Sequence, residues 1–390
     1  MEFLTSIFFF IQAIIGFNLL FPILMYFLWL LFKKKPKIGL SSSIKEPDYA
    51  IIVTAYEQID NLQYVVSSIL KLNYTNYIVY IVADKCDISL LNFEDNRINI
   101  LRPEKTIASN TGSHLYAINN FIREHDRVTI IDSDNLLEPE YLKELNLSFN
   151  KGFKAVQGVR LAKNIDTTFS CLDAARDIYY HFYDGKILFE LGSSATLSGS
   201  GMAFETQLYK NFLKDYNIKG AGFDKILQFF ILSNNERIAF AEKAIVYDEK
   251  TSKPDQLVKQ RSRWINTWFK YFKFGFILLG KGIKNLSFNQ TLFSVVLLRP
   301  PLFLFILFGL ICLVINLFVY PIMAILWIIG FLVFTIGFFT ALLSSETDLK
   351  IYKSLKNIPV FMFLQIVSLM KSKNANKHSV ATKHVVHNNK

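Results

Sequence analysis

The 390-residue chain divides by its hydrophobic pattern. From Ile7 to Phe32 there is no charged residue, and from Leu302 to Leu343 there is again none. A helix needs roughly 20 apolar residues to cross a bilayer. The first run is long enough for one crossing and the second for two, with a break at Tyr320-Pro321. Between them the pattern changes to short apolar runs alternating with helical periodicity. Tyr49–Tyr56, Tyr77–Asp84, a short Asn99–Leu101 and Val128–Ile131 are near-continuous apolar runs of the kind buried on both faces of a sheet. Leu62, Val65, Val66, Ile69 and Leu70 mark one helical face, with Asp60 as its expected cap. Leu115, Ile118, Phe121 and Ile122 mark a second helix, and Pro139 to Phe149 a third, closed by Gly152. Strand alternating with helix predicts a parallel α/β sheet covered on both sides.

Beyond Gly152 the pattern becomes mixed. Phe153–Gln157 predicts a strand, and Ile165–Leu188 is predominantly helical. In Leu197-Ser-Gly-Ser-Gly-Met-Ala-Phe204, Gly199 and Gly201 either let backbone approach a ligand or form a turn before a strand. Asp224 should fall in the first turn of an apolar helix, where capping alone accounts for it. Arg237–Ala241 and Ala244–Tyr247 read as edge strands. Trp268–Lys284 has the amphipathic spacing of an interfacial helix, and Ile358–Met370 is too short to cross and should lie on the surface. The expected segments are 1–37, a spanning helix with a basic flank; 38–266, a globular domain; 267–300, interfacial; 301–345, two spans; and 346–390, an interfacial helix with a basic tail.

Composition sharpens this division. Hydrophobic residues make up 52% of the chain and mean hydropathy is +0.28, above an ordinary soluble enzyme. The first apolar run is too long for a signal peptide, lacks a basic leader and ends without a small-residue cleavage site. Lys33, Lys34, Lys35 and Lys37 follow it at once. Positive charge beside a span stays cytoplasmic, so the globular domain and the tail are expected in the cytosol, as in a bacterial inner-membrane protein. The net charge is +11, from 43 basic and 32 acidic residues. Its basic residues flank the apolar runs and no nucleic-acid motif accompanies them, so anionic lipid is the expected partner and nucleic acid is not. Cys86, Cys171 and Cys312 are too widely spaced for a zinc site or a disulfide framework.

Candidate chemistry centres on Arg127-Val-Thr-Ile-Ile-Asp-Ser-Asp-Asn135. A buried strand there would deliver Asp132 and Asp134 at its carboxyl end, where open α/β sheets bind ligands. On extended backbone the two would point the same way and call for a cation; Mg2+ or Mn2+ shared with phosphate is the natural one. Alternatively, Asp134 or Asn135 caps the following helix. Neither Gly-x-Gly-x-x-Gly nor a Walker loop occurs, so any nucleotide is held otherwise. Downstream, Gln260, Arg263 and Trp264 share a helical face that joins hydrogen-bonding, phosphate-binding and stacking groups. The bland alternative is a basic helix on headgroups.

In this order, Val53-Thr-Ala-Tyr56, Val82-Ala-Asp84, Asp132-Ser-Asp134, Ser198-Gly-Ser-Gly201, Phe223-Asp224 and Gln260-x-x-Arg263-Trp264 resemble the membrane-bound family 2 glycosyltransferases, the group of cellulose, hyaluronan and poly-N-acetylglucosamine synthases. The resemblance covers roughly Pro47 to Trp268 and the arrangement of spans. It implies a GT-A fold, a nucleotide-sugar donor, most simply a UDP-sugar, a divalent metal, and inversion at the anomeric carbon. The acceptor would be a glycan or lipid-linked. Residue by residue, it implies donor binding by Thr54, Tyr56, Glu57, Asp84, Asp132, Gln260 and Arg263, and metal binding by Asp134 with Asp132. Asp224 would be the catalytic base, with Arg263 at the diphosphate. Trp264, Gly199, Ser200 and Gly201 would face the acceptor. Phe223 stands where the family usually has an acidic residue, and Ser109–His114 lacks the family's lysine. The competing reading is a catalytically degenerate, membrane-anchored binding or scaffold subunit, against which the intact carboxylates argue. Spans without internal charge make a poor transport path.

Overall fold

A computed structural model of the chain describes residues 2–32, 46–89, 91–216, 218 and 220–376. The lysines at 33–37, most of the polar stretch from Gly39 to Pro47 that reads as a linker, and the basic end of the tail lie outside the described residues. The strands are β1 (Tyr49–Tyr56), β2 (Tyr77–Asp84), β3 (Ile98–Leu101), β4 (Arg127–Asp132), β5 (Leu136–Leu137), β6 (Ala155–Ala162), β7 (Met202–Glu205) and β8 (Ile238–Asp248). They form one sheet ordered β3-β2-β1-β4-β7-β6-β8-β5. The first four in that order are parallel. β7 then enters antiparallel to both β4 and β6, so the sheet is mixed rather than wholly parallel. The two expected edge strands are one strand, β8, paired in parallel with β6 and capped at the edge by the two-residue β5. Its register shifts at Gly158/Val159, where a Cβ on Gly158 would meet Ala244 O at 2.3 Å. The chain can bend there only because that side chain is missing.

Burial on both faces explains the continuous apolar strands. Ala50, Ile52, Ile78, Tyr80, Val128 and Ile130 face one core, and Tyr49, Ile51, Val53, Val79, Ile81 and Ile131 face the other. The helices between strands are α2 (Leu62–Leu70), α3 (Asn110–Asn119) and α4 (Tyr141–Phe149). Helix α2 starts from Asn61, not Asp60, and has no side-chain cap. α5 (Thr168–Tyr180), opened by a Thr167/Ser170 capping box, continues as a π-helical turn (His181–Ile187) and a short α6 (Leu188–Glu190). α7 (Thr206–Asp215) and α8 (Phe223–Ser233) complete the cover of the first face.

α1 (Glu2–Phe32) precedes the domain. After it come α9 (Pro254–Tyr271), α10 (Lys273–Lys284), α11 (Phe288–Leu298), α12 (Leu302–Val319), α13 (Pro321–Leu343), α14 (Leu349–Ser354) and α15 (Ile358–Met370). The amphipathic run expected from Trp268 is therefore split at Phe272 between α9 and α10. Helices α10 and α11 pack closely: a Cβ on Gly275 would meet Leu298 at 2.5 Å, and one on Gly282 would meet Thr291 at 2.5 Å. α1, α12 and α13 are long and apolar enough to cross a membrane. They pack together through Ile15, Leu19, Phe305, Cys312 and Trp327. The Gln12 Oε1 accepts hydrogen bonds from Asn316 Nδ2 and Trp327 Nε1, both at 2.6 Å. The three cysteines are buried and unpaired.

Candidate active site

A single cavity of about 1020 Å³ opens at the carboxyl ends of β1, β2 and β4 and continues to the feet of α12 and α13. Thr54 and Tyr56 from β1, Asp84 from β2 and Asp132 from β4 line its sheet end. This is where an open α/β sheet leaves room for a ligand. Asp84 is buried and accepts hydrogen bonds from the amides of Ile107 and Ala108, at 3.0 and 2.6 Å, so it anchors the loop before α3. Three non-glycine residues at this rim have left-handed backbone, Glu57 (φ 61°), Lys85 (φ 57°) and Ala108 (φ 49°). Such strain concentrates where a site needs a fixed shape. Glu57 is off the cavity and pairs with Lys85 at 2.7 Å; Gln58 lines the wall instead.

Strand β4 ends at Asp132, and a turn follows, closed by the Asn135 amide donating to Asp132 O at 3.1 Å. The two aspartates thus reach the cavity through a turn and not through strand alternation. Asp134 is buried, and neither it nor Asn135 caps α4, whose first turn begins from Glu140. Ser200 holds the turn from behind. Its hydroxyl donates to Asn135 Oδ1 and accepts from the Asp132 amide at 3.1 Å. Of the glycine-rich loop, Ser198 and Gly199 line the cavity, while Ser200 and Gly201 form the layer beneath. Gln157 braces that layer, its Nε2 donating to Ser200 O at 3.1 Å and its Oε1 accepting from the Ser198 amide at 2.9 Å. Among the described residues no group of three His, Cys, Asp or Glu could hold a metal. Two carboxylates alone suit a hard Mg2+ or Mn2+ ion that keeps waters and shares phosphate oxygens, and not a zinc ion.

Asp224 lines the same cavity, from the first turn of α8. The turn into that helix requires Gly222, at φ 96°, pressed so closely on α9 that a Cβ would lie 2.4 Å from Thr267 Cγ2. Gln260, Arg263 and Trp264 also line the cavity, from α9. Burial holds the Arg263 guanidinium below its ordinary pKa. The guanidiniums of Arg261 and Arg176 approach the Trp264 ring, 4.1 Å and 4.7 Å from its centre, and the residue stays 38% exposed.

A charge network that sequence reasoning did not single out lines the same cavity through Arg160, Arg176, Asp177, Asp248 and Arg261, backed by Asp173 and Lys250. Arg160 pairs with Asp248, and Lys250 bridges Asp248 at 2.6 Å and Asp177 at 2.5 Å. Arg176 pairs with Asp177 at 2.7 Å, and Arg261 pairs with Asp173. Burial would raise the Asp177 carboxyl, but Lys250 and Arg176 outweigh it and hold it well below the carboxylate range. Arg261 is held down to about 10 by burial and by Arg176 beside it. Asp173, Arg176 and Asp177, at i, i+3 and i+4 of α5, were the available sign: three charges on one face of a helix with little water around it.

The model of the glycosyltransferase-like family 2 matches residues 47–267. Among solved structures, the mannosyltransferase PcManGT from Pyrobaculum calidifontis in complex with GDP-Man and Mn2+ is similar at 13% identity and a TM-score of 0.58. That match covers 94% of this chain and 98% of the other. S. aureus TarS in complex with UDP-GlcNAc is similar at 15% identity and a TM-score of 0.44, covering 85% of this chain and 90% of the other. No curated protein matches the chain in sequence. The likeness to the mannosyltransferase is one of fold, extending over nearly all of both chains.

Proposed function

This chain belongs to the glycosyltransferase-like family 2, with a GT-A fold, and from that premise we propose that it is an inverting, metal-dependent enzyme of the membrane surface. It moves a sugar from a nucleotide donor, a UDP-sugar in the simplest case, to a lipid-linked or polysaccharide acceptor. The observation that carries this reading is the convergence on one cavity of Asp84, Asp132 and Asp134, Asp224, and the α9 trio Gln260, Arg263 and Trp264. These come from separate segments, and no packing requirement of the fold calls for so many carboxylates around one space.

Thr54, Tyr56 and Asp84 bind the nucleoside end, and Gln260 and Arg263 the diphosphate. A divalent ion held by Asp132 and Asp134 would supply positive charge at that diphosphate. Asp224 accepts the proton of the acceptor hydroxyl as its oxygen bonds to the anomeric carbon. The bond from that carbon to the diphosphate oxygen breaks on the opposite face, and the nucleoside diphosphate leaves with the electron pair. Arg263 stabilises the charge that gathers there. Trp264 offers the acceptor sugar a stacking face. Glu57, Ser200 and Gly201 serve this chemistry from outside the cavity, by fixing the rim and the Asp132–Asn135 turn. The three long apolar helices anchor the domain to a bilayer, with the domain in the cytosol among the nucleotide sugars.

A screen of nucleotide sugars against the purified protein in nanodiscs, with Mg2+ or Mn2+, reads nucleotide release and sugar transfer. Asp224→Asn is expected to lower transfer by about 10²–10⁴-fold, the usual worth of a general base. Asp134→Asn should abolish the response to metal. Near-normal turnover in either variant would break the assignment.

A further inference from the structure

The membrane end of the cavity contains hydrogen-bond donors that the catalytic reading does not use. Tyr179 is 2% exposed, and its hydroxyl has no hydrogen-bond partner among the described residues. Arg299 is also buried at its head. One guanidinium nitrogen, Nη2, donates to Asp184, while Nη1 has no partner among the described residues. Both residues line the cavity. A buried donor without an acceptor costs stability, and native folds retain few of them without a reason. Pro300 and Pro301 follow Arg299 and open α12, whose N-cap Pro301 supplies no side-chain hydrogen bond. The positive end of an 18-residue helix therefore starts beside these two donors.

The surroundings on one side are apolar. Tyr179 stacks on Phe338 at 5.9 Å and meets Phe334 at 6.3 Å, both from α13. Phe303 and Ile306 from α12 continue the wall. On the other side Tyr180 leads back to the catalytic end: Arg176 lies 4.9 Å from the Tyr180 ring centre and 4.7 Å from that of Trp264. Asp184 occupies one edge of Arg299, so the pair is neutral overall. What remains is a set of donors and a helix terminus, which suits a multivalent oxygen acceptor such as a phosphate.

The geometry points to a binding site for a phosphate-bearing lipid, its head group at Arg299 and Tyr179 and its hydrocarbon along α12 and α13. This deepens the transferase reading and rests on it for its purpose. A saccharide carried on that phosphate would extend past Tyr180 towards Trp264 and Asp224, so the acceptor would arrive tethered to the bilayer.

The test uses the full chain in detergent micelles and native mass spectrometry, with hexadecyl phosphate as probe and hexadecanol and inorganic phosphate as its two halves. One hexadecyl phosphate per chain is expected to be retained, with both halves bound far more weakly. Tyr179→Phe removes a hydroxyl that has no partner among the described residues, so the protein should stay folded while retention falls about 3–10-fold. Arg299→Gln should lower it about 10-fold or more. Equal retention of hexadecanol would reduce the site to an apolar groove, and equal binding of inorganic phosphate would make it a free-anion site; either overturns the inference. So would variants that bind hexadecyl phosphate as the wild type does. Asp224→Asn is expected to lose transfer yet keep this ligand. A wild type that binds the probe but transfers no sugar would remove the enzyme reading and leave the site standing, and transfer without binding would do the reverse.

Discussion

Single residues here are constrained by backbone as much as by chemistry. Gly222 combines a left-handed conformation with a contact that leaves no space for a methyl group against Thr267 and Tyr271. Gly222→Ala is expected to cost about 1–3 kcal/mol, through strain and displacement of α8 from α9. A thermal melt should show the loss, and transfer should fall with it because Asp224 is two residues away. His114 is a second such residue. It is fully buried, shares a 2.7 Å hydrogen bond through Nδ1 with Tyr209 Oη, and lies edge-on to Phe223 at 5.3 Å. Burial holds its imidazole down to about 3, from an ordinary 6.5. The folded chain therefore keeps His114 neutral where an unfolded chain would protonate it. Its contribution to stability is complete above pH 6.5 and is lost as the pH falls towards 3. Between pH 6.5 and 5 the loss should approach about 1.4 kcal/mol per pH unit. In a pH series of melts, His114→Gln, which can still accept from Tyr209, should flatten the acid slope by one proton.

Elements meet through few but specific contacts. The Phe223–Asp224 turn is held by α3 through His114 and by α9 through Thr267 and Tyr271, so two neighbouring helices fix one carboxylate. The three long apolar helices are tied together by Gln12, which accepts from one donor on α12 and another on α13. Gln12→Leu would leave the Asn316 amide and the Trp327 indole without that acceptor. The expected cost is about 1 kcal/mol, the usual range for polar contacts between apolar helices. A lowered melting temperature in detergent, with soluble-domain donor binding unchanged, would locate the loss in the helix trio. The α5 charges extend this logic: Asp173, Arg176 and Asp177 tie α5 to α9 and to Lys250, forming the wall that backs Trp264.

At the scale of the whole molecule, the proposed crossing of a bilayer by α1 before the domain and by α12 and α13 after it would put the domain and the α14–α15 end on the same side. A green fluorescent protein fused after α15 is expected to fluoresce and an alkaline phosphatase there to stay inactive; the opposite pair of results would separate the site from cytosolic donors. Much of this plan is written locally. Apolar runs and their lengths marked the three long apolar helices and the first strands, and helical periodicity marked α2 and α4, while α3 ends at Asn119, so that Phe121 and Ile122, expected on its face, lie beyond it and Leu115 is exposed; the position of Asp224 in a first turn followed from the break before it. Cap assignment was less legible, because Asp60 and Asn61 are equally plausible caps and only the fold chose the start of α2. The mixed sheet, with β7 antiparallel between β4 and β6, could not be read from spacing, since strand order is set by pairing between distant segments. Nor could spacing tell that Gly199 faces the cavity while Ser200 and Gly201 lie beneath it, or that Arg160, Asp177, Asp184 and Arg299 meet around it. The sequence determined which segments are strand, helix or long apolar helix, because periodicity and turn chemistry act over a few residues. Which side chains face one another was decided only in the folded chain, where long-range packing chooses the neighbours.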